Sequence, residues 1–406
     1  MTLGIFNGVF FNLAAAFLSG ITVIPLFISG FTDSRILIGA FSTLESFGWY
    51  FPQLFMGALI AGRPLVLTYY NKLSFSRVIF FAAAISLIFL VKDSNHRLLL
   101  IGFGCLFGIY SITSGMAGIA FMEIVGKMIP TNKRGTLFGL RMFFGGLLAV
   151  LAGPIVKYML DRWQFPVNFG YLFFIALITV IMGLAIYAFT RELPPPVMKT
   201  KPGFKDNLAK SLSVFKNDVN MRHLVFAMYS TNTALLAMPF YIILATEQLG
   251  IPGPLAATYL SFERIGFLGL NLLWGWLSNR ISNKLVLKVS TIFAIMAPAL
   301  ALYSIYHYPG YFIFGLVFFF NGAALSGTSL GYINYLLEIS NDENRVLSIG
   351  LVHTFIAPTI FFSALGGLLF ELFSIKILFL VTLIGLSLSY IYINQLKEPV
   401  RVGREN

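Results

Sequence analysis

Apolar runs of about twenty residues or more recur along all 406 residues, separated by short polar segments. A helix needs roughly 20 apolar residues to cross a bilayer core of about 30 Å. The pattern therefore predicts twelve spans, over 5–29, 36–61, 74–91, 98–126, 136–159, 168–190, 223–247, 255–278, 285–306, 309–337, 346–371 and 374–394. The longest polar stretch, Arg191 to Arg222, contains Pro194-Pro195-Pro196 and divides the chain almost in half. The expected organisation is a six-helix bundle over 1–190, a linker over 191–222, a second six-helix bundle over 223–394 and a tail over 395–406. The fold class is all-α integral membrane, built as two pseudo-symmetric halves.

The polar segments carry an orientation signal. Lys and Arg concentrate in every second loop: Arg63, Lys72, Arg77, Lys127, Lys133, Arg134, the linker, Arg280, Lys284, Lys288, Arg345 and the tail. The alternate loops hold only Arg35, Lys92, Arg97, Lys157, Arg162 and Lys376, while Arg141 and Arg264 fall inside predicted helices. Positive residues stay on the cytoplasmic side. This predicts a multi-pass protein of the plasma membrane, the inner membrane in a bacterium, with both termini cytoplasmic.

Composition agrees with lipid as the solvent: 58% of residues are apolar, 11% are charged and mean hydropathy is +0.84. The net charge of +12 is accounted for by the loops, and no basic helix interleaved with aromatics points to nucleic acid. The single Cys and the four scattered His give no metal or disulfide framework, and no cofactor is implied. Gly327-Thr328-Ser329-Leu330-Gly331 fits a nucleophile pattern but lies in a predicted span, where a strand–turn–helix elbow cannot form. With no nucleophile–base set and no phosphate-binding loop, an enzyme is not expected.

Three correspondences link the halves. Glu45, Trp49, Gln53 and Gly57 are spaced four apart, and Glu263, Phe267, Asn271 and Gly275 repeat the order acid, aromatic, amide, glycine. Such spacing puts each set on one helical face. Arg134 precedes Gly139-Leu140 as Arg345 precedes Gly350-Leu351. Pro25-Leu26-Phe27 is matched by Pro239-Phe240-Tyr241, and a proline inside a span bends it, so Pro25 and Pro239 are hinge candidates.

On these repeats, and on Gly275-Trp276-Leu277-Ser278-Asn279-Arg280-Ile281-Ser282-Asn283-Lys284, the chain resembles the major facilitator superfamily of secondary transporters. The decapeptide is similar to that family's loop G-x-L-a-D-r-x-G-r-k, with Asn279 in place of the aspartate. The copy beginning at Gly57 reaches Arg63 and then meets Pro64. The resemblance implies a latch at these loops, involving Gly57, Arg63, Arg134, Arg141, Gly275, Asn279, Arg280, Lys284 and Arg345. With the aspartate absent, Glu123, Glu338, Asp342 or Glu343 would supply the carboxylate. The family's antiporter element is met only by Ala149 and Gly153-Pro154.

The resemblance further implies a central cavity lined by the first, fourth, seventh and tenth helices. Candidate lining residues are Asn12, Tyr229, Asn232, Tyr241, Asn321, Tyr332 and Asn334, joined from the repeated stripes by Trp49, Gln53, Arg264, Phe267 and Asn271. Charges at membrane depth usually face a cavity or a partner. Glu45 and Glu263 lie at matching mid-span positions and are the proton-coupling candidates, with His353 a third. Arg264 points about 100° away from Glu263 around its helix and need not pair with it. The expected function is secondary active transport of a small amphipathic solute by rocker-switch alternating access, coupled to protons, with efflux favoured, by a monomer in the lipid bilayer. An uncoupled facilitator or lipid-linked-solute flippase is the first alternative. A non-transporting receptor or assembly partner with this fold is the second.

Overall fold

The computed structural model describes residues 1–50, 65–91, 95–129, 131–192, 218–307, 310–339, 352 and 355–398, with the side chains of Ser46, Trp49, Tyr50, Gly126 and residues 131–135 set aside. Among these residues the chain forms helices and no strands. The first half contains α1 (Thr2–Ala16), α2 (Val23–Ser29), α3 (Arg35–Tyr50), α4 (Leu67–Val91), α5 (His96–Met128), α6 (Thr131–Val150), α7 (Ala152–Arg162) and α8 (Val167–Ala188). The second half contains α9 (Val219–Thr231), α10 (Ala234–Ile243), α11 (Gly253–Ala257), α12 (Tyr259–Arg280), α13 (Asn283–Tyr306), α14 (Tyr311–Ile339), α15 (Phe362–Leu372) and α16 (Ile375–Gln395). A π-helical turn, Leu244–Gln248, extends α10, and a 3₁₀ turn, Ala357–Phe361, leads into α15.

Each predicted span contains helix within its described part. Among the described residues, eight helical stretches are long and apolar enough to cross a membrane, and two shorter apolar ones are Thr2–Ala16 and Ala357–Leu372. The chain is thus an integral membrane protein. Polar residues between the runs start the helices: Asn95, Asp218, Ser282 and Ser374 each accept a backbone N–H of the first turn that follows.

Two expected spans are interrupted, and the interruption is not at the proline. The first helix stops at Ala16, turns through residues 17–22 and restarts at Val23, so that Pro25 sits in the first turn of α2, where its missing N–H costs little. The seventh breaks at Asn232–Thr233, upstream of Pro239 in α10. Pro25 and Pro239 therefore lie just C-terminal to the breaks, and the carbonyls four residues before them, Ile21 and Leu235, fall within or beside those breaks.

Helices of each half pack mainly on one another, α4 on α5 and α12 and α13 on α14. Contacts between the halves run through α3 with α15, α7 with α11, α6 with α12, and α2 with α10. Backbones come closest where α3 crosses α15. A side chain at Gly39 would overlap the backbone of Ser363 and Ala364, and one at Gly367 the backbone of Arg35 and Ile36. Small residues allow such an approach in lipid, where packing holds helices together. Thr43 Oγ1 accepts the Ala364 N–H at 3.0 Å, and Ser261 Oγ donates to Val150 O at 2.5 Å.

The end of the bundle opposite the chain termini is closed by polar contacts. Arg35 meets Glu247 with two hydrogen bonds of 2.6 and 2.5 Å, and its guanidinium lies 5.0 Å from the Phe370 ring centre. Glu371 Oε2 accepts from Ser34 Oγ at 3.0 Å and from the Ile36 N–H at 3.1 Å, capping α3 from the other half. The described hydrogen bonds and ion pairs between the halves lie at this end or near mid-depth.

Candidate functional site between the two halves

Glu45 sits ten residues along α3 from Arg35, about 15 Å from the closed end at 1.5 Å per residue. Its side chain is exposed even though it faces α1–α2 of its own half and Arg264 and Glu263 of the other. At that depth, between helices, the exposed carboxylate borders an internal space. The carboxylate rests on the turn that interrupts the first helix, its Oε2 packed so closely on Gly20 that a Cβ there would overlap it. Ser42 Oγ, one turn earlier on the same face of α3, donates to Gly20 O at 2.9 Å.

Glu263 occupies the equivalent place on α12 in a different environment. It is buried at 1% exposure, and α14 approaches so closely that a side chain at Gly322 would strike the Glu263 backbone. Its Oε2 lies 3.6 Å from Arg264 Nε, and neither atom has a hydrogen-bond partner among the described residues. The neighbours expected to diverge thus do meet. Arg264, one-quarter exposed in its side chain, folds back because a buried carboxylate without other donors is the strongest attraction within reach. Two acids and one guanidinium consequently cluster between the halves, with one acid open and the other shut.

The remaining predicted residues separate into groups. Asn232 and Asn321 line one small cavity of about 60 Å³ at the break of the seventh helix, together with Thr231 and Thr328. Asn232 donates to Thr359 Oγ1 at 2.7 Å, while Asn321 Nδ2 is buried without a partner among the described residues. Tyr229 is exposed and meets the Phe362 ring edge-on at 5.4 Å, and Phe267 and Asn271 are partly exposed on α12. Two candidates are packing residues and not cavity walls. Tyr241 is buried with its ring stacked on Phe379, and Tyr332 is buried, its hydroxyl 2.6 Å from Thr231 Oγ1. Aromatic bulk at these positions fills the second half's core. Asn12 likewise packs inside the first half, donating to Arg141 O at 3.4 Å.

At the end that carries the termini, Asn279 and Asn334 line an open cleft of about 440 Å³ with Glu338, and Asn334 donates to Ser278 Oγ. Lys284 donates to Leu396 O at 2.6 Å, Arg280 is exposed, and Gly275 is partly exposed. Arg141 is a fastener within the first half, donating to Gly4 O and Asn7 Oδ1 with its guanidinium 4.2 Å from the Phe121 ring centre. Glu123 lies 3.9 Å from Lys127, whose closer partner is the buried Glu192 at 3.2 Å. Gln53, Gly57, Arg63, Asp342, Glu343, Arg345 and His353 lie outside the described residues, as do the side chains of Trp49 and Arg134.

Several groups were not legible in sequence. Arg77, counted there among loop cations, is buried in mid-α4 at 6% exposure, where it donates to Ser114 Oγ at 3.2 Å over the Phe11 ring. The span pattern that begins at Ser74 was its only signal. Gly20 and Ser42 carry none, since nothing local says that a glycine two-thirds along an apolar run meets an acid on another helix.

The family model for the Major Facilitator Superfamily matches residues 5–303. The chain belongs to the Major Facilitator Superfamily. Solved structures share its fold over almost their whole length. The nucleoside transporter NupG (D323A mutant) matches with a TM-score of 0.72 at 15% identity, covering 97% of this chain and 98% of that one. A D-xylose-proton symporter matches with a TM-score of 0.73 at 14% identity, over 97% and 96%. The xylose transporter XylE from E. coli, in a partially occluded inward-open conformation, matches with a TM-score of 0.68 at 14% identity, over 97% of each chain. No curated protein sequence matches. Family and fold make this superfamily member a secondary transporter.

Proposed function

We propose that this chain moves a small amphipathic solute across the membrane in exchange for protons, by alternating access around Glu45. The observation that carries the reading is the contrast between Glu45, open to an internal space, and the opposite end, closed by Arg35–Glu247 and the α3–α15 crossing. With cytoplasmic termini, as the loop charges imply, this is an inward-facing arrangement. The open carboxylate takes a proton or the cationic end of a solute. Arg264, paired with Glu263, faces Glu45 across the interface and is the nearest cation from the other half. Neutral amides and aromatic rings supply the rest of the site, which suits a partly apolar solute.

The test uses purified protein in liposomes with a trapped pH-sensitive dye, after a thermal-shift screen of metabolites and antibiotics selects a solute. Addition of the solute is expected to evoke proton flux in the wild type and none in Glu45→Gln. Equal solute flux with the pH gradient collapsed would instead favour an uncoupled facilitator. Absence of flux for every stabilising solute would favour a non-transporting receptor.

A further inference from the structure

The break in the seventh helix leaves backbone oxygen without its helical partner. In a continuous helix the Thr233 N–H would bond Tyr229 O, and the Leu235 N–H would bond Thr231 O. Instead the Thr233 N–H turns to Ser230 O at 3.2 Å and the Leu235 N–H to Asn232 O at 2.9 Å. Leu235 O, which Pro239 cannot serve, accepts from Ser363 Oγ at 3.0 Å. The Thr231 carbonyl, last in the 13-residue α9, gains no such replacement among the described residues.

Thr231 lines the cavity of about 60 Å³ at this break with Asn232, and with Asn321 and Thr328 from α14. Each has an oxygen to give. Thr231 Oγ1 is already shared between Tyr332 and Ser389, so its carbonyl is the group left over. Asn232 commits its Nδ2 to Thr359 Oγ1 at 2.7 Å, which leaves Oδ1 as the uncommitted end. Thr328 Oγ1 donates its hydrogen to Ala324 O at 2.8 Å and keeps its lone pairs. Asn321, 4% exposed, makes no hydrogen bond among the described residues, and half a turn of its carboxamide presents Oδ1 in place of Nδ2 within the same outline. The other residues of the lining are apolar.

The field at this place is negative. The last carbonyls of a helix carry about half an elementary charge, and α9 ends at the cavity. Lone pairs at the negative end of a helix attract a cation and repel an anion. Hard cations take oxygen ligands, and sites for divalent ones are built on carboxylates, which this lining lacks, so a single charge fits. The volume is that of a few water-sized particles, enough for a small ion with one or two of its own waters.

We propose that the break in the seventh helix is a binding site for one alkali cation, held by Thr231 O, Asn232 Oδ1, Asn321 Oδ1 and Thr328 Oγ1. The ion ties the end of α9 to α14 and so fixes the break. The site is separate from Glu45 and does not rest on the reading of that residue as the proton carrier.

The experiment compares thermal unfolding of the purified full chain in lipid nanodiscs in sodium chloride and in choline chloride of equal ionic strength. Sodium is expected to raise the unfolding temperature by about 3 °C. Radioactive sodium is expected to be retained saturably and displaced by unlabelled sodium chloride. Asn321→Leu keeps the volume and is expected to lose the sodium shift, while unfolding in choline no earlier than the wild type, since it removes a buried amide without a partner. A structural role alone would lower the temperature in both salts and leave their difference intact. Thr328→Val, of the same shape, is expected to weaken sodium retention about tenfold, the effect of losing one ligand. It keeps the test open should Asn321→Leu fail to fold. Glu45→Gln is expected to keep the sodium shift.

Identical unfolding of the wild type in the two salts, the mark of a cavity that holds water only, overturns the proposal. So does a sodium shift that persists in Asn321→Leu, or sodium retention undiminished in Thr328→Val. Loss of the shift in Glu45→Gln also overturns it, because the ion then sits beside that carboxylate.

Discussion

Arg35 and Glu247 form a two-pronged ion pair, 2.6 and 2.5 Å, between the start of α3 and the π-helical turn that ends α10. The two residues belong to different halves, 212 positions apart, and their side chains are 18% and 35% exposed. Bidentate geometry makes the pair directional, and its position at the closed end makes it a clasp.

Partial exposure limits what this clasp contributes, to about 1 kcal/mol, since water and salt screen it. Arg35→Gln or Glu247→Gln is accordingly expected to raise the population open at this end by about fivefold. Electron-spin distances between labels at Leu37 and Leu372, both exposed, check this. The exchange Arg35→Glu with Glu247→Arg is expected to restore the wild-type distribution, and 1 M salt to reproduce the single variants.

The crossing of α3 on α15 is more demanding than the clasp. Gly39 and Gly367 each face backbone of the partner helix, which cannot move aside as a side chain can. Overpacking typically costs about 1–3 kcal/mol. Gly39→Leu and Gly367→Leu are each expected to shift the ensemble by roughly tenfold or more toward opening at the end distal to the termini. The same spin labels, or thiol labelling of cysteines placed at Thr43 and Ala364, report the change. Normal closure in both variants would mean that the glycines are not what permits the approach.

The Glu263–Arg264 pair predicts an asymmetry between its members. Removing one partner of a buried pair leaves the other charge unpaired, at a cost of about 3–5 kcal/mol when both are fully buried. Arg264 is 25% exposed in its side chain, so the cost here is reduced to about 1–3 kcal/mol. Arg264→Gln, which strands the buried acid, is expected to lower the unfolding temperature in detergent more than Glu263→Gln, which leaves an arginine that is one-quarter exposed and so partly served by water. The double variant is expected to recover most of the loss. Equal effects of the two single variants would mean that Glu263 finds another donor once Arg264 is gone.

Legibility in the sequence followed the range of the cause. The positions of helices were readable because lipid imposes length and apolarity on each run separately. The repeat of Glu45 and Glu263 was readable because duplication preserves spacing along the chain. Their environments were not. One is open and seated on a glycine, the other shut against α14, and the difference arises from which helix lies opposite. Arg77 was misassigned to a loop because an arginine near a run's edge looks the same whether it reaches water or bonds Ser114 inside the bundle. Pro25 and Pro239 marked the irregular helices, with the irregular turn lying before each proline. There, Ser42 of α3 takes up the Gly20 carbonyl and Ser363 of α15 the Leu235 carbonyl.

The sequence by itself determined that this chain lives in lipid, which segments form helix, and that few charges lie at mid-depth, because these follow from the transfer energies of single residues and runs. Only the tertiary structure decided that Arg35 would close one end with Glu247, that Gly20 would cradle Glu45, and that Glu263 would be shut away with its own neighbour. Those outcomes depend on distances between helices far apart in the chain, which are set by packing, and packing is a property of the whole set of contacting surfaces and not of any one segment.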